Sequence, residues 1–167
     1  MAEHFDKERL LAKFKELGIE SDTIDHPEVF TVEAMMPYVD HLPGAHCKNL
    51  FLKDKKKQLY LVSCIHDRDF KLNDLAKKIS ASGGLRFADE SILFENLGVK
   101  QGCVTAYALV NDIKGNVNFY VDSDLVNDTH EKVWFHPISN AASTALTPKD
   151  FVKFVEATGH KINTVEF

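Results

Sequence analysis

Two apolar runs, Ala45 to Lys53 and Gln58 to Ile65, flank a lysine-rich turn, and this arrangement constrains the fold more than any other feature of the chain. The pair reads as a β-hairpin. In the first run, HCKNLFLKD, the apolar Leu50, Phe51 and Leu52 follow two polar residues, Lys48 and Asn49. Strand side chains alternate between faces, so Lys48 shares a side with Leu50 and Leu52, while Cys47, Asn49 and Phe51 take the other. One of the two polar groups therefore lies near a buried face. Spacing alone leaves two readings open: Lys48 begins the strand and snorkels to water, or it belongs to a site.

The remaining patterns alternate in type. Phe5, Leu10, Leu11, Phe14 and Leu17 predict a helix over Glu3 to Leu17, ended by Gly18 in a left-handed cap. Ile19 to His26 reads as a short strand broken by Pro27, and Thr31 as the N-cap of a helix over Val32 to Tyr38. A helix is expected over Asp69 to Ala81, ended by Ser82-Gly83-Gly84. LRFADESILFENLGV predicts a short strand, a cap at Asp89 and a helix through Leu97 stopped by Gly98. NVNFYVDSDL, EKVWFHP and Lys161 to Glu166 read as strands, and Thr147-Pro148 as a helix start. The expectation is one α/β domain over residues 1–167, a mixed sheet with flanking helices.

Composition narrows the class. With 167 residues and 44% hydrophobic content the chain suits one compact core. Cys47, Cys64 and Cys103 stand far apart without a CxxC pair, which suggests reduced thiols of a cytoplasmic protein. No apolar run reaches membrane-spanning length, so no membrane contact is expected. A net charge of -5 argues against coating long nucleic acid, and no DNA partner is expected, although a small contact through Lys53-Asp54-Lys55-Lys56-Lys57 stays open beside an ordinary solvated turn.

No GxxxxGK, GxGxxG, HExxH or GxSxG motif occurs, which removes the commonest nucleotide, metalloprotease and hydrolase readings. The 8 histidines lack partners at metal-ligand spacing, so neither metal nor cofactor is expected. What remains are polar residues at strand edges: Lys48 and Asn49, the turn GCVTAYAL from Gly102, and FHPISNAAST from Phe135.

HPEVFTVEAM (26–35), HCKNLFLKD (46–54), LRFADESILFENLGVKQGCVTAYALVND (85–112) and FHPISNAASTALTPKDFVKF (135–154) occur in this order. Together they resemble the aminoacyl-tRNA deacylases related to the inserted editing domain of bacterial prolyl-tRNA synthetases, of the YbaK/ProX type. The likeness is strongest to the free-standing branch that clears alanine from tRNA(Pro). It implies a mixed, partly barrel-like sheet surrounded by helices, with a pocket for the tRNA acceptor end. It also implies Lys48, Asn49 and His136 as catalytic residues. Gly102, Val29, Phe30, Thr31, Leu50 and Asn140 are implied as substrate-binding, with Val29, Phe30 and Leu50 as apolar walls. Prolyl-tRNA synthetase is a further implied partner. The chain departs from the family at Ala106 and Tyr107, where proline and phenylalanine are common, which bears on loop rigidity and pocket size.

An aminoacyl ester is already activated, so a positioned water and stabilisation of the tetrahedral oxyanion suffice, and no strong nucleophile is required. The expected chemistry is hydrolysis of Ala-tRNA(Pro). The alternatives are a deacylase for serine or cysteine, and a silent module that binds tRNA or a synthetase.

Overall fold

The computed structural model describes residues 4–167. Among these residues eight strands form one mixed sheet in the order β1-β7-β6-β2-β3-β5-β8, with β4 branching from β2. The strands are β1 (Asp22–Asp25), β2 (Ala45–Lys53), β3 (Leu59–Ile65), β4 (Arg86–Phe87), β5 (Val117–Asp122), β6 (Val133–Phe135), β7 (Ala142–Leu146) and β8 (Asn163–Val165). The helices are α1 (Lys7–Glu16), α2 (Val32–Val39), α3 (Leu72–Lys78), α4 (Glu90–Leu97) and α5 (Pro148–Ala157). The mixed α/β reading is therefore correct.

The expected hairpin is present, β2 pairing antiparallel with β3 from Cys47↔Ile65 to Lys53↔Leu59. Asp54 closes its turn: the carboxylate is buried and accepts from the amides of Lys56 and Gln58 and from the Tyr60 hydroxyl. Lys55, Lys56 and Lys57 project into solvent from this tip.

Helix ends follow local chemistry. The side chains of Asp6, Thr31 and Thr147 cap α1, α2 and α5 by accepting from the amides of Arg9, Ala34 and Asp150. The expected start of the first helix at Glu3 lies outside the described residues. Gly98 ends α4 at φ 67°, as its position predicts. The third helix is shorter than expected: Ile79 is its C-cap and the chain turns at Ser80 with φ 57°, before the glycines are reached.

Two elements carry no alternating apolar signal. Strand β7 is buried at all five positions, built from Ala142, Ser143, Thr144, Ala145 and Leu146, so both of its faces pack and its small residues give no period. The GCVTAYAL segment forms a 3₁₀ helix over Ala106–Asn111, capped by Thr105. Tyr107 within it is fully buried, packs edge-on against Phe14, Phe135 and Phe154, and donates its hydroxyl hydrogen to Thr144 O at 2.9 Å. The departure at Ala106 and Tyr107 thus lies in the main core.

A second buried polar group ties the far end of the molecule together. His160 and Asp112 pair at 2.8 Å, and Asp112 also accepts from the amides of Asn116 and Val117. Despite burial, the His160 bond and these amides hold the Asp112 carboxyl below its ordinary value of 3.8. A depressed acid stabilises the fold above its unfolded pKa, and that contribution is lost as pH falls through the folded value. Asp112→Asn is expected to cost about 3 kcal/mol near neutral pH by removing one partner of a buried pair. The deficit should shrink below pH 3.8, as followed by urea unfolding of both proteins.

Candidate active site

A cavity of about 490 Å³ opens where β2 changes partners. Its volume falls in the range typical of small-molecule sites. At its start β2 runs parallel to β6, with Ala45↔Val133 and His46↔Trp134 in register. At its end it pairs antiparallel with β4, Leu52↔Phe87 and Lys53↔Arg86. Between these contacts one edge of β2 is open, and Cys47, Lys48, Asn49, Leu50 and Phe51 all line the cavity. Consecutive residues point to opposite faces, so only the edge of a strand can present all of them to one space.

Lys48 and Asn49 do project oppositely. The Lys48 ammonium donates to the Arg68 carbonyl and lies 5.3 Å from the centroid of the Phe70 ring, within cation-π range. Lys48 is the fourth residue of β2 and pairs with Cys64, so it does not begin the strand. Arg68 is itself anchored: its guanidinium donates to the carboxylate of Asp122 at 2.8 Å and to that of Asp124 at 2.6 Å. On the other face, Asn49 Oδ1 accepts from Ser63 Oγ at 2.6 Å. That bond leaves the Asn49 Nδ2 donor to the cavity side.

His136 lies just beyond β6. Its Nδ1 is 3.0 Å from Ala142 O, which can only accept, so Nδ1 carries the proton and Nε2 keeps its lone pair. Burial, outweighing that hydrogen bond, lowers the His136 pKa below its ordinary 6.5, and the nearby His26 adds to the effect. The ring is thus neutral at physiological pH. His26, whose ring centroid is 6.3 Å away, bonds Ser143 Oγ and stacks on Tyr38.

Of the residues expected at the site, Lys48, Asn49, His136, Gly102, Phe30, Thr31 and Leu50 line one cavity. Val29 and Asn140 do not. Val29 is buried against Met35 and Val39. Asn140 is buried and donates its Nδ2 to Val29 O at 2.7 Å, while its own carbonyl accepts the Val29 amide. This two-way clamp presents the next residue, Phe30, which remains 66% exposed at the cavity rim. Gly102 faces it with φ +90°, where a Cβ would sit 3.0 Å from Phe30 Cδ1. Thr31 spends its hydroxyl acceptor on the α2 cap.

Sequence reasoning missed His66 at the end of β3, the exposed Phe87 of β4, and Glu33 and Glu90 at the starts of two helices, all of which line the cavity. Phe87 gave no signal in the sequence, because its exposure in a two-residue strand is evident only from the structure. None of Lys53 to Lys57 borders the cavity. Among the described residues no group of three His, Cys, Asp or Glu side chains is placed to hold a metal ion. Cys47, on the cavity floor, is a free thiol whose pKa is pushed well up by burial. No described helix is long and apolar enough to cross a membrane.

Gly102→Ala is expected to raise KM about 10-fold for whichever substrate the cavity takes, because the added methyl must displace Phe30 and the left-handed backbone is strained. Steady-state kinetics of the purified variant would check this, with the melting temperature reporting any loss of fold.

Comparison with known proteins places this geometry. Residues 26–154 match the model of the aminoacyl-tRNA editing domain. Prolyl-tRNA synthetase associated domain-containing protein 1 of Xenopus laevis is 53% identical over 163 residues, covering 96% of each chain. Prolyl-tRNA editing protein ProX of Acetoanaerobium sticklandii is 34% identical over 165 residues, again covering 96% of each chain. The crystal structure of a candidate trans-editing enzyme for prolyl-tRNA synthetase superposes with a TM-score of 0.71 at 19% identity, covering 99% of both chains, and supports the fold. The chain belongs to the aminoacyl-tRNA editing domain family.

Proposed function

We propose that this protein is an aminoacyl-tRNA deacylase that acts in trans on Ala-tRNA(Pro), releasing alanine and tRNA(Pro) in the cytoplasm. The observation that carries the reading is one cavity lined by Lys48, Asn49, Gly102 and His136 in a chain of the editing-domain family. A relative is named as a prolyl-tRNA editing protein, which supports proline tRNA as the substrate class.

In this reading the acceptor end of the tRNA enters past Phe30 and Phe87, and the ester lies against β2. A water oxygen bonds to the acyl carbon, and the bond to the ribose oxygen breaks. That oxygen leaves as a hydroxyl, and the amino acid departs as a carboxylate with a proton passing to solvent. Neutral His136 orients the water through its Nε2 lone pair, and Asn49 Nδ2 donates toward the reacting ester. Lys48 sits on a flexible four-carbon stem and supplies positive charge to the terminal phosphate or to the developing oxyanion. Docking on prolyl-tRNA synthetase fits the same role.

The need for such an enzyme follows from the energetics of exclusion. A synthetase pocket shaped for proline gains only about 1 to 3 kcal/mol against alanine, so a second, smaller pocket must remove the error. Cys47, Phe51, Leu93 and Val104 floor the cavity with apolar atoms. Leu50 adds a wall.

Purified protein should release alanine from Ala-tRNA(Pro) rapidly and spare Pro-tRNA(Pro), with Ser-tRNA as a further control. Lys48→Ala should be slower by about 100-fold at unchanged melting temperature, the scale of losing one electrostatic stabiliser. Absence of hydrolysis on every substrate would instead favour a silent tRNA-binding module. A neutral His136 also fixes the acid limb of the rate profile. Protonation removes its lone pair, so activity should persist through pH 6.5 and fall only below it, and His136→Asn should abolish that limb.

A further inference from the structure

The partner exchange of β2 leaves a specific piece of backbone unused. The Asp54 amide donates to Gln58 O and the His66 amide to His46 O, so the even-numbered residues of β2 turn their amide groups toward β3. By the alternation of an antiparallel ladder, Ala45, Cys47, Asn49 and Phe51 turn theirs to the opposite edge. Two contacts agree with this parity: the Ala45 amide donates to Lys132 O, and Phe51 O accepts from the Ala88 amide. The register with β6 ends at His46↔Trp134, and that with β4 begins at Leu52↔Phe87. Asn49 falls between them. Neither ladder on that edge reaches it, no main-chain bond from a loop to its N–H or C=O is present among the described residues, and the residue lines the cavity. Half-buried backbone groups at an open edge are satisfied by water, which a ligand with a matching donor and acceptor can replace.

We infer that this edge is a main-chain recognition subsite for an α-aminoacyl group, held as though it were one added strand residue. The inference rests on the aminoacyl-ester reading above. An antiparallel bonded pair needs one donor and one acceptor on each residue, spaced as they are across N–Cα–C=O. An α-amino acid ester carries that same pair: its ammonium donates to Asn49 O, and its acyl oxygen accepts from Asn49 N–H. As the acyl carbon becomes tetrahedral the oxygen gains charge, and the same N–H stabilises it. Glu33 and Glu90, which line the cavity, supply negative charge that complements the ammonium.

The pairing also directs the substrate side chain. Residues directly opposite in an antiparallel pair project to the same face, so the Cα substituent follows the Asn49 side chain toward Cys47 and Phe51. Alanine places only a methyl there. Proline closes a ring between its side chain and its own nitrogen, which crowds the group that must approach Asn49 O.

The test uses the full chain, uniformly ¹⁵N-labelled, with two non-hydrolysable probes: 3′-(L-alanylamido)-3′-deoxyadenosine and its 3′-propionylamido counterpart, which lacks the amine. The alanyl probe is expected to produce its largest amide-proton shift at Asn49, and the propionyl probe to bind at least about 10-fold more weakly, the loss of one charge-assisted hydrogen bond. Equal affinity for the two probes, or largest shifts elsewhere on the cavity with Asn49 unmoved, overturns the subsite. If Ala-tRNA(Pro) is still hydrolysed in that case, the deacylase reading stands without it. If neither the alanyl probe binds nor any aminoacyl-tRNA is hydrolysed, the reading falls and takes the subsite with it.

Discussion

Strand β2 cannot keep one neighbour along both of its edges. Its β3 side is paired from Cys47 to Lys53, but its other side passes from β6, which runs parallel to it, to β4, which runs antiparallel. The parallel register ends at His46 and the antiparallel one begins at Leu52, and the two ladders space their bonds differently, so a gap lies between them. The cavity occupies that gap. Its position follows from sheet topology, and the residues that line it follow from which strand ends and loops surround Asn49.

The same arrangement explains how so many groups of different character meet at one point. The Lys48 and Asn49 side chains lie on opposite faces and are each held by a separate anchor, Arg68 O for one and Ser63 Oγ for the other. His136 is delivered by the end of β6, and Phe87 by β4. Phe30 is delivered by the Asn140 clamp on Val29. These supports are hydrogen bonds to main chain or to neighbours fixed by the core, which is the condition for holding a site within a few tenths of an ångström. Beneath them Tyr107 joins Phe14, Phe135 and Phe154 and donates its hydroxyl to Thr144 O, and it is not among the residues lining the cavity.

Legibility in the sequence tracked how local the cause was. The hairpin, the threonine caps at Thr31 and Thr147 and the glycine stop at Gly98 depend on neighbours within a few positions, and each reads directly from the chain. Strand β7 does not, because alanine, serine and threonine buried on both faces give no periodic contrast. The limits of α3 were missed for a related reason: the helix stops at Ser80 through its own backbone, ahead of the glycines that signal an end. At the site, motif resemblance drew together seven residues that line one cavity but also included Val29 and Asn140, which bond to each other beside Phe30 and are not among the residues lining it. Spacing cannot separate a residue that touches a ligand from one that holds such a residue in place. His66 and Glu90 reach the cavity only through tertiary contacts, so nothing local announced them.

A site that uses main-chain groups has a particular consequence for specificity. Side chains around Asn49 set the size of the space, while the donor and acceptor at the open edge persist whatever residue stands there. In the proposed reading, changes at Phe30, Leu50 or Cys47 alter which amino acid fits without removing the feature common to every aminoacyl ester, its amine beside its carbonyl. Discrimination by exclusion requires this division. A pocket that recognises the shared backbone and rejects by volume hydrolyses the small acyl group and leaves the larger, correct one attached, because the penalty of steric overlap exceeds what a few missing methylenes provide in the opposite direction.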